Sequence, residues 1–191
     1  MAPRRPGATP WDKLELTSLL LAALLTASAY AWMISVSAPL DGGREIIALQ
    51  CTAAVSEAQR IIARWQAAGL MPVVTRAMHI DYLFMSGYTL LLWLACRRSG
   101  RALRRGRQVR WLMVPARVMP ALALTAGLCD LVENLLHEYV FAHGIAALPI
   151  AAASTFASVK WALVALTIAY LVVALVAATS ARFVPGRKDD F

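Results

Sequence analysis

The stretch PARVMPALALTAGLCDLVENLLHEYV, residues 115–140, decides how this chain is read. It is nearly all apolar, yet Asp130, Glu133, Asn134 and His137 recur along it at helical spacing. Helical residues advance by about 100° each, so positions i, i+3, i+4 and i+7 share one face. A segment this long and apolar is a bilayer span. Ionisable groups within a span are costly and mark function by default.

The rest of the sequence agrees with a membrane reading. Of its 191 residues, 60% are hydrophobic and only 16% charged, against about half and a quarter in an ordinary soluble domain. Three more apolar runs stand out, at 14–38, 80–96 and 148–178. A helix of about 20 residues crosses the hydrocarbon. The expected fold is therefore all-α and integral to the membrane. It is one domain over 1–191, with four transmembrane helices at about 14–36, 75–95, 113–137 and 149–178. Runs this long lack the alternation of a barrel.

Charge placement orients the spans. Seven arginines crowd an expected cytoplasmic loop at about 97–111: Arg97, Arg98, Arg101, Arg104, Arg105, Arg107 and Arg110. Arg4, Arg5 and Lys13 precede the first run, and Arg182, Arg187 and Lys188 follow the last. The connection 140–148 has no Lys or Arg, and in the first connection Asp41, Glu45 and Glu57 dilute Arg44, Arg60 and Arg64. This is the positive-inside pattern of four spans with both termini cytoplasmic. The net charge of +8 is accordingly read as a topology signal touching anionic headgroups, with no nucleic-acid partner expected. Ala27-Ser28-Ala29 mimics a signal-peptidase site, but apolar character continues to Val36, so the first run reads as an uncleaved span.

The first connection carries structure of its own. From 53 to 68, Val55, Ile61, Ile62 and Trp65 form the apolar side of an amphipathic helix, with Thr52 or Ser56 as candidate caps and Gly69 as its stop. It is expected on the external side, lying on lipid with Trp65 at the interface or across the mouth of the bundle. Small residues between Ala151 and Ser158 prepare the fourth span for close helix contact.

Orientation brings the ionisable groups to one depth. Asp81 and His79 fall in the outer half of span two, and the polar face of span three lies towards its outer end. Lys160 sits eleven residues beyond Pro149, or roughly 16 Å at about 1.5 Å per residue. The expected buried polar centre is Asp81, Tyr82, Asp130, Glu133, Asn134 and Lys160, with Tyr88 also within reach. One lysine cannot neutralise three carboxylates, so the surplus must carry a proton, bind a cation or reach water.

Several chemistries fit these residues. Acid/base work on a lipid-soluble substrate would use Asp81 or Glu133, with Lys160 stabilising charge. A metal site would draw on His79, Asp81, Glu133 and His137, and a bis-histidine haem on His79 and His137. No nucleophile triad, phosphate loop or metal-type cysteine spacing is present, and no cofactor is expected. Cys51, Cys96 and Cys129 form no disulfide framework.

The helix ending in Trp65, Asp81-Tyr82 with Phe84 and Tyr88, Asp130-Leu131-Val132-Glu133-Asn134, and Lys160-Trp161 together resemble a group of small bacterial four-span membrane proteins. The likeness covers about 53–161. It implies the four-span architecture and nominates Asp81, Asp130, Glu133, Asn134 and Lys160, but brings no activity; the expected location is the bacterial inner membrane. A looser likeness, in helix count and buried carboxylates, links the chain to the four-helix sterol-isomerase and sigma-2-receptor superfamily. The expected role is structural, ligand-sensing or accessory, with membrane lipids and a lipophilic ligand or protein as partners. The alternative is a membrane enzyme acting on a lipid or isoprenoid.

Overall fold

The computed structural model describes residues 10–105 and 110–183, all helices and connecting turns with no strand among them. Arg4, Arg5, Arg107, Arg187 and Lys188 lie outside the described residues. Six α-helices follow in order: α1 (Pro10–Val36), α2 (Arg44–Cys51), α3 (Val55–Ala67), α4 (Met71–Arg105), α5 (Met113–His143) and α6 (Ala147–Phe183).

Three of them, α1, α5 and α6, are long and apolar enough to cross a membrane. α4 has the length but too many polar groups, because Asp81, Tyr82, Ser86, Gly87, Tyr88 and Thr89 interrupt its apolar stretch. α1 and α6 bury little of themselves. Leu20, Leu24, Val172 and Leu175 stand more than half exposed, which suits hydrocarbon and not water. Along α4 lie α1, α5 and α6, and α5 also packs on α6.

Small residues set the spacing of these contacts. A Cβ on Gly87 would come 2.8 Å from Thr26 Oγ1 of α1, and one on Gly127 would come 2.4 Å from Thr89 Oγ1 of α4. Both glycines therefore mark close backbone crossings. Ala153, Ser154 and Ala157, in the small-residue run of α6, are buried as expected.

Two segments depart from the sequence reading. The arginine-rich loop expected at about 97–111 is instead helical through Arg105, so Arg97, Arg98 and Arg101 project from the last turns of α4. Gly100 within this stretch lies against Ala116 of α5, where a Cβ would come 3.2 Å from the Ala116 carbonyl oxygen, so packing on α5 supports the extra turns. Arg98 lies 3.8 Å from Glu15, and Arg101 also pairs with it, which ties the start of α1 to the end of α4.

The first connection is the other departure. After α1, a 3-10 turn spans Ala38–Gly43, where Asp41, Gly42 and Gly43 take positive φ values of 52°, 63° and 90°. α2 follows and is tied to α6 by a bond from Ser154 Oγ to the Cys51 carbonyl at 3.2 Å. α3 covers the expected amphipathic stretch. It has no side-chain N-cap bond, while Thr52 Oγ1 accepts from the Ala54 N–H just ahead of it. Its end is a Schellman closure: Leu70 N–H donates to Trp65 O, Gly69 N–H donates to Gln66 O, and Gly69 has φ 68°.

Trp65 is not at an interface. It is fully buried with Ile61, Ile62, Leu40, Leu49, Val140 and Ile150, and its indole N–H donates to Glu45 of α2. An indole ring with a carboxylate within reach of its N–H can be buried without an unmet donor. Helices α2 and α3 thus cap one end of the long helices, where α1 and α5 finish and α4 and α6 begin.

Candidate functional site

The polar face of α5 turns inward as its spacing requires. Asp130, Glu133, Asn134 and His137 are all at most 3% exposed, in a helix whose other buried members are apolar or glycine. Lys160 of α6, 4% exposed, meets them: its Nζ donates to Asp130 Oδ1 at 2.9 Å and lies 2.6 Å from Glu133 Oε2. The Glu133 contact is an ion pair rather than an aligned hydrogen bond, and Glu133 Oε1 has no partner. From α4, Tyr88 OH donates to Asp130 Oδ2 at 2.6 Å, so both oxygens of Asp130 are occupied.

Asp81 stands outside this ion pairing. Asn134 Nδ2 donates to its Oδ2 at 2.7 Å, and no cation bonds to it. The amide of Asn134 is fixed by that bond, since only its nitrogen can donate to a carboxylate. The six groups expected to converge therefore do so with one exchange. Tyr82 bonds to none of them, its neighbour being Glu138, and Tyr88, one helical turn plus two residues on, takes its place.

The histidines separate. His79 is exposed on α4, whereas His137 is buried and its Nε2 has no partner. The pairing that a metal or bis-histidine haem needed is not formed. Among the described residues no three His, Cys, Asp or Glu side chains gather in metal-binding geometry. His137 is closed off from solvent, with the Phe141 ring of α5 centred 6.5 Å away and Trp65 of the cap nearby.

Beside the polar network lies a cavity of about 510 Å³. It runs from Gly42, Gly43 and Gln50 under the cap to Leu92 and Ile168 deeper along α4 and α6. Asp81, Tyr88, Asp130, Asn134 and Lys160 form its polar side, and the remaining wall is mostly apolar. Its volume is in the range of sites for small organic ligands, about 300–1,000 Å³. Ser37, at the end of α1, adds a buried hydroxyl without a partner to the cap end of the wall.

The sequence reading missed this wall. Tyr30, Met33 and Ile34 come from α1, and Ile46, Ile47 and Gln50 from α2. The only advance signal for α2 was the cluster Ile46, Ile47 and Leu49 directly after the Gly-Gly break. Chemically, the arrangement offers a hydrophobic chamber with one carboxylate neither neutralised by lysine nor shielded from the chamber. No family model, curated protein or solved structure matches this chain.

Proposed function

We propose that this protein is a four-span bacterial inner-membrane protein whose cavity holds a lipophilic small molecule against Asp81, in a ligand-sensing or accessory role. The observation that carries this reading is the 510 Å³ apolar cavity ending on a carboxylate that Lys160 leaves unpaired. A purely structural charge network would consume all its members and leave no chamber.

α4 serves as the fourth span. Its polar residues face neighbours inside the bundle: Asp81 meets Asn134, Tyr88 meets Asp130, and Gly87 meets Thr26. Polar groups in a span are tolerated when they are satisfied by neighbouring helices. Both termini are cytoplasmic, on the arginine distribution and on the contacts of Glu15 with Arg98 and Arg101 at one end. The cap of α2 and α3 then lies on the external side.

A second reading, an enzyme doing acid/base chemistry on a lipid or isoprenoid, is favoured by the same unpaired Asp81, with Glu133 and Lys160 behind it. Native mass spectrometry of the full chain released from nanodiscs tests the binding role. One small lipophile per chain is expected on the wild type and absent from Val164→Trp, which fills the chamber. Bulk phospholipid alone on both proteins overturns the reading.

A further inference from the structure

α1 and α6 both flank the cavity, and each packs far more on α4 than on the other. Tyr30, Met33 and Ile34 line one side of the chamber and Trp161, Val164 and Ile168 the other. Four of these six, Tyr30, Ile34, Trp161 and Ile168, are also more than 40% exposed, so they stand at a rim and not in a sealed wall. In a bilayer such a rim faces acyl chains.

The head chemistry of an occupant follows from counting bonds. Asp130 spends Oδ1 on Lys160 and Oδ2 on Tyr88. Lys160 is drawn to two carboxylates, and Asn134 Nδ2 is committed to Asp81. What remains open towards the chamber is an acceptor, Asp81 Oδ1, in a group of three carboxylates and one lysine. An anionic head would meet like charge, whereas a donor would complete the unfilled valence. Asp81 lies nearer the cap, and the deeper wall at Leu91, Leu92 and Ile168 is apolar, so the head sits outward and the tail inward.

We infer that the gap between α1 and α6 is a lateral entrance through which an amphiphile with a hydrogen-bond-donating head, a hydroxyl or an ammonium, passes from the bilayer to Asp81. This rests on the cavity being a ligand site, and it adds the route and the class of ligand. A carboxylate-headed chain of the same length is disfavoured by the surplus of acid at the head position.

The test uses the full chain in neutral-lipid nanodiscs and three nitroxide-labelled hexadecyl probes that differ only in head: alcohol, amine and carboxylate. Electron paramagnetic resonance reads the immobilised fraction and its exchange with the bilayer pool. The alcohol and the amine are expected to bind about tenfold or more tightly than the carboxylate, the worth of one charge-assisted hydrogen bond. The net charge of +8 by itself favours the carboxylate, so that order reports the site and not the surface.

Asp81→Asn, which keeps an oxygen for Asn134, should weaken the amine most and narrow the difference between heads. Ile34→Trp and Ile168→Trp, on the two sides of the rim, should slow exchange about tenfold while Leu175→Trp, on the outer face, leaves it unchanged. Equal binding of all three heads overturns the class of ligand, and unaltered exchange in both rim variants overturns the entrance. If no probe is immobilised beyond the lipid annulus, the cavity reading itself falls.

Discussion

Asp81 and Asn134, 53 positions apart in sequence, are joined by a 2.7 Å hydrogen bond from the amide to the carboxylate. That bond holds α4 to α5 without neutralising Asp81. Lys160 works on the adjoining face, bridging Asp130 and Glu133. One face of α5 therefore does two jobs. Asp130 and Glu133 fasten α6, and Asn134 presents an acid from α4 to the cavity.

Removing the lysine should unmake the first job. Lys160→Met leaves two fully buried carboxylates without their cation and is expected to cost about 3–5 kcal/mol. Adding Asp130→Asn and Glu133→Gln should recover at least half of that, since neutral amides of the same shape need no counter-charge. Unfolding curves in one detergent, compared through a mutant cycle, check this. No recovery in the triple variant would show that the three side chains are not energetically coupled.

Helix spacing gives an independent prediction. Gly127→Ala places a Cβ 2.4 Å from Thr89 Oγ1 and 2.7 Å from Thr89 Cγ2, so α4 and α5 must separate or Thr89 must move. The expected loss is about 1–3 kcal/mol, the usual cost of overpacking. Thr89→Ala in the same chain should return most of it, as read by the thermal midpoint. A Gly127→Ala protein with unchanged midpoint would mean that the crossing is wider than described.

The cysteines report topology. Cys51 is exposed at the end of α2, whereas Cys96 and Cys129 are buried. A membrane-impermeant maleimide added to intact spheroplasts should therefore label wild type and leave Cys51→Ser unlabelled. Labelling of Cys51 only after the membrane is opened would place the cap on the cytoplasmic side and invert the proposed orientation.

One pH effect can be signed from the cap. Arg60 donates to both carboxylate oxygens of Glu57, at 3.0 and 2.6 Å, and this bond holds the Glu57 carboxyl below its ordinary value of 4.5. A lowered native value stabilises the fold above the unfolded value, and the contribution disappears as pH falls through the native one. Both groups are exposed, so the effect is small and screened by salt. Arg60→Ala should raise the midpoint of the Glu57 carboxyl titration followed by nuclear magnetic resonance. An unmoved midpoint would reject the pairing in solution.

Much of the site was legible because helical periodicity is a property of sequence. Asp130, Glu133, Asn134 and His137 share a face wherever α5 is placed, and an apolar setting demands that this face turn inward. Lys160 was identifiable as its partner for the same reason, being the sole cation deep in an apolar run. Less legible was the choice between Tyr82 and Tyr88. Both belong to α4, and which one reaches Asp130 depends on the rotation of α4 about its axis, fixed by Gly87 against Thr26 and Gly127 against Thr89.

The apolar helices, the polar stripe and the end of α3 at Gly69 are readable along the chain, because span length, a 3.6-residue period and a left-handed glycine are local constraints. The burial of Trp65 against Glu45, the parting of buried His137 from exposed His79, and the cavity flanked by α1 and α6 arise in three dimensions alone. Each of these depends on how separate helices rotate and lean on one another, and that is settled by side-chain packing between residues distant in the chain.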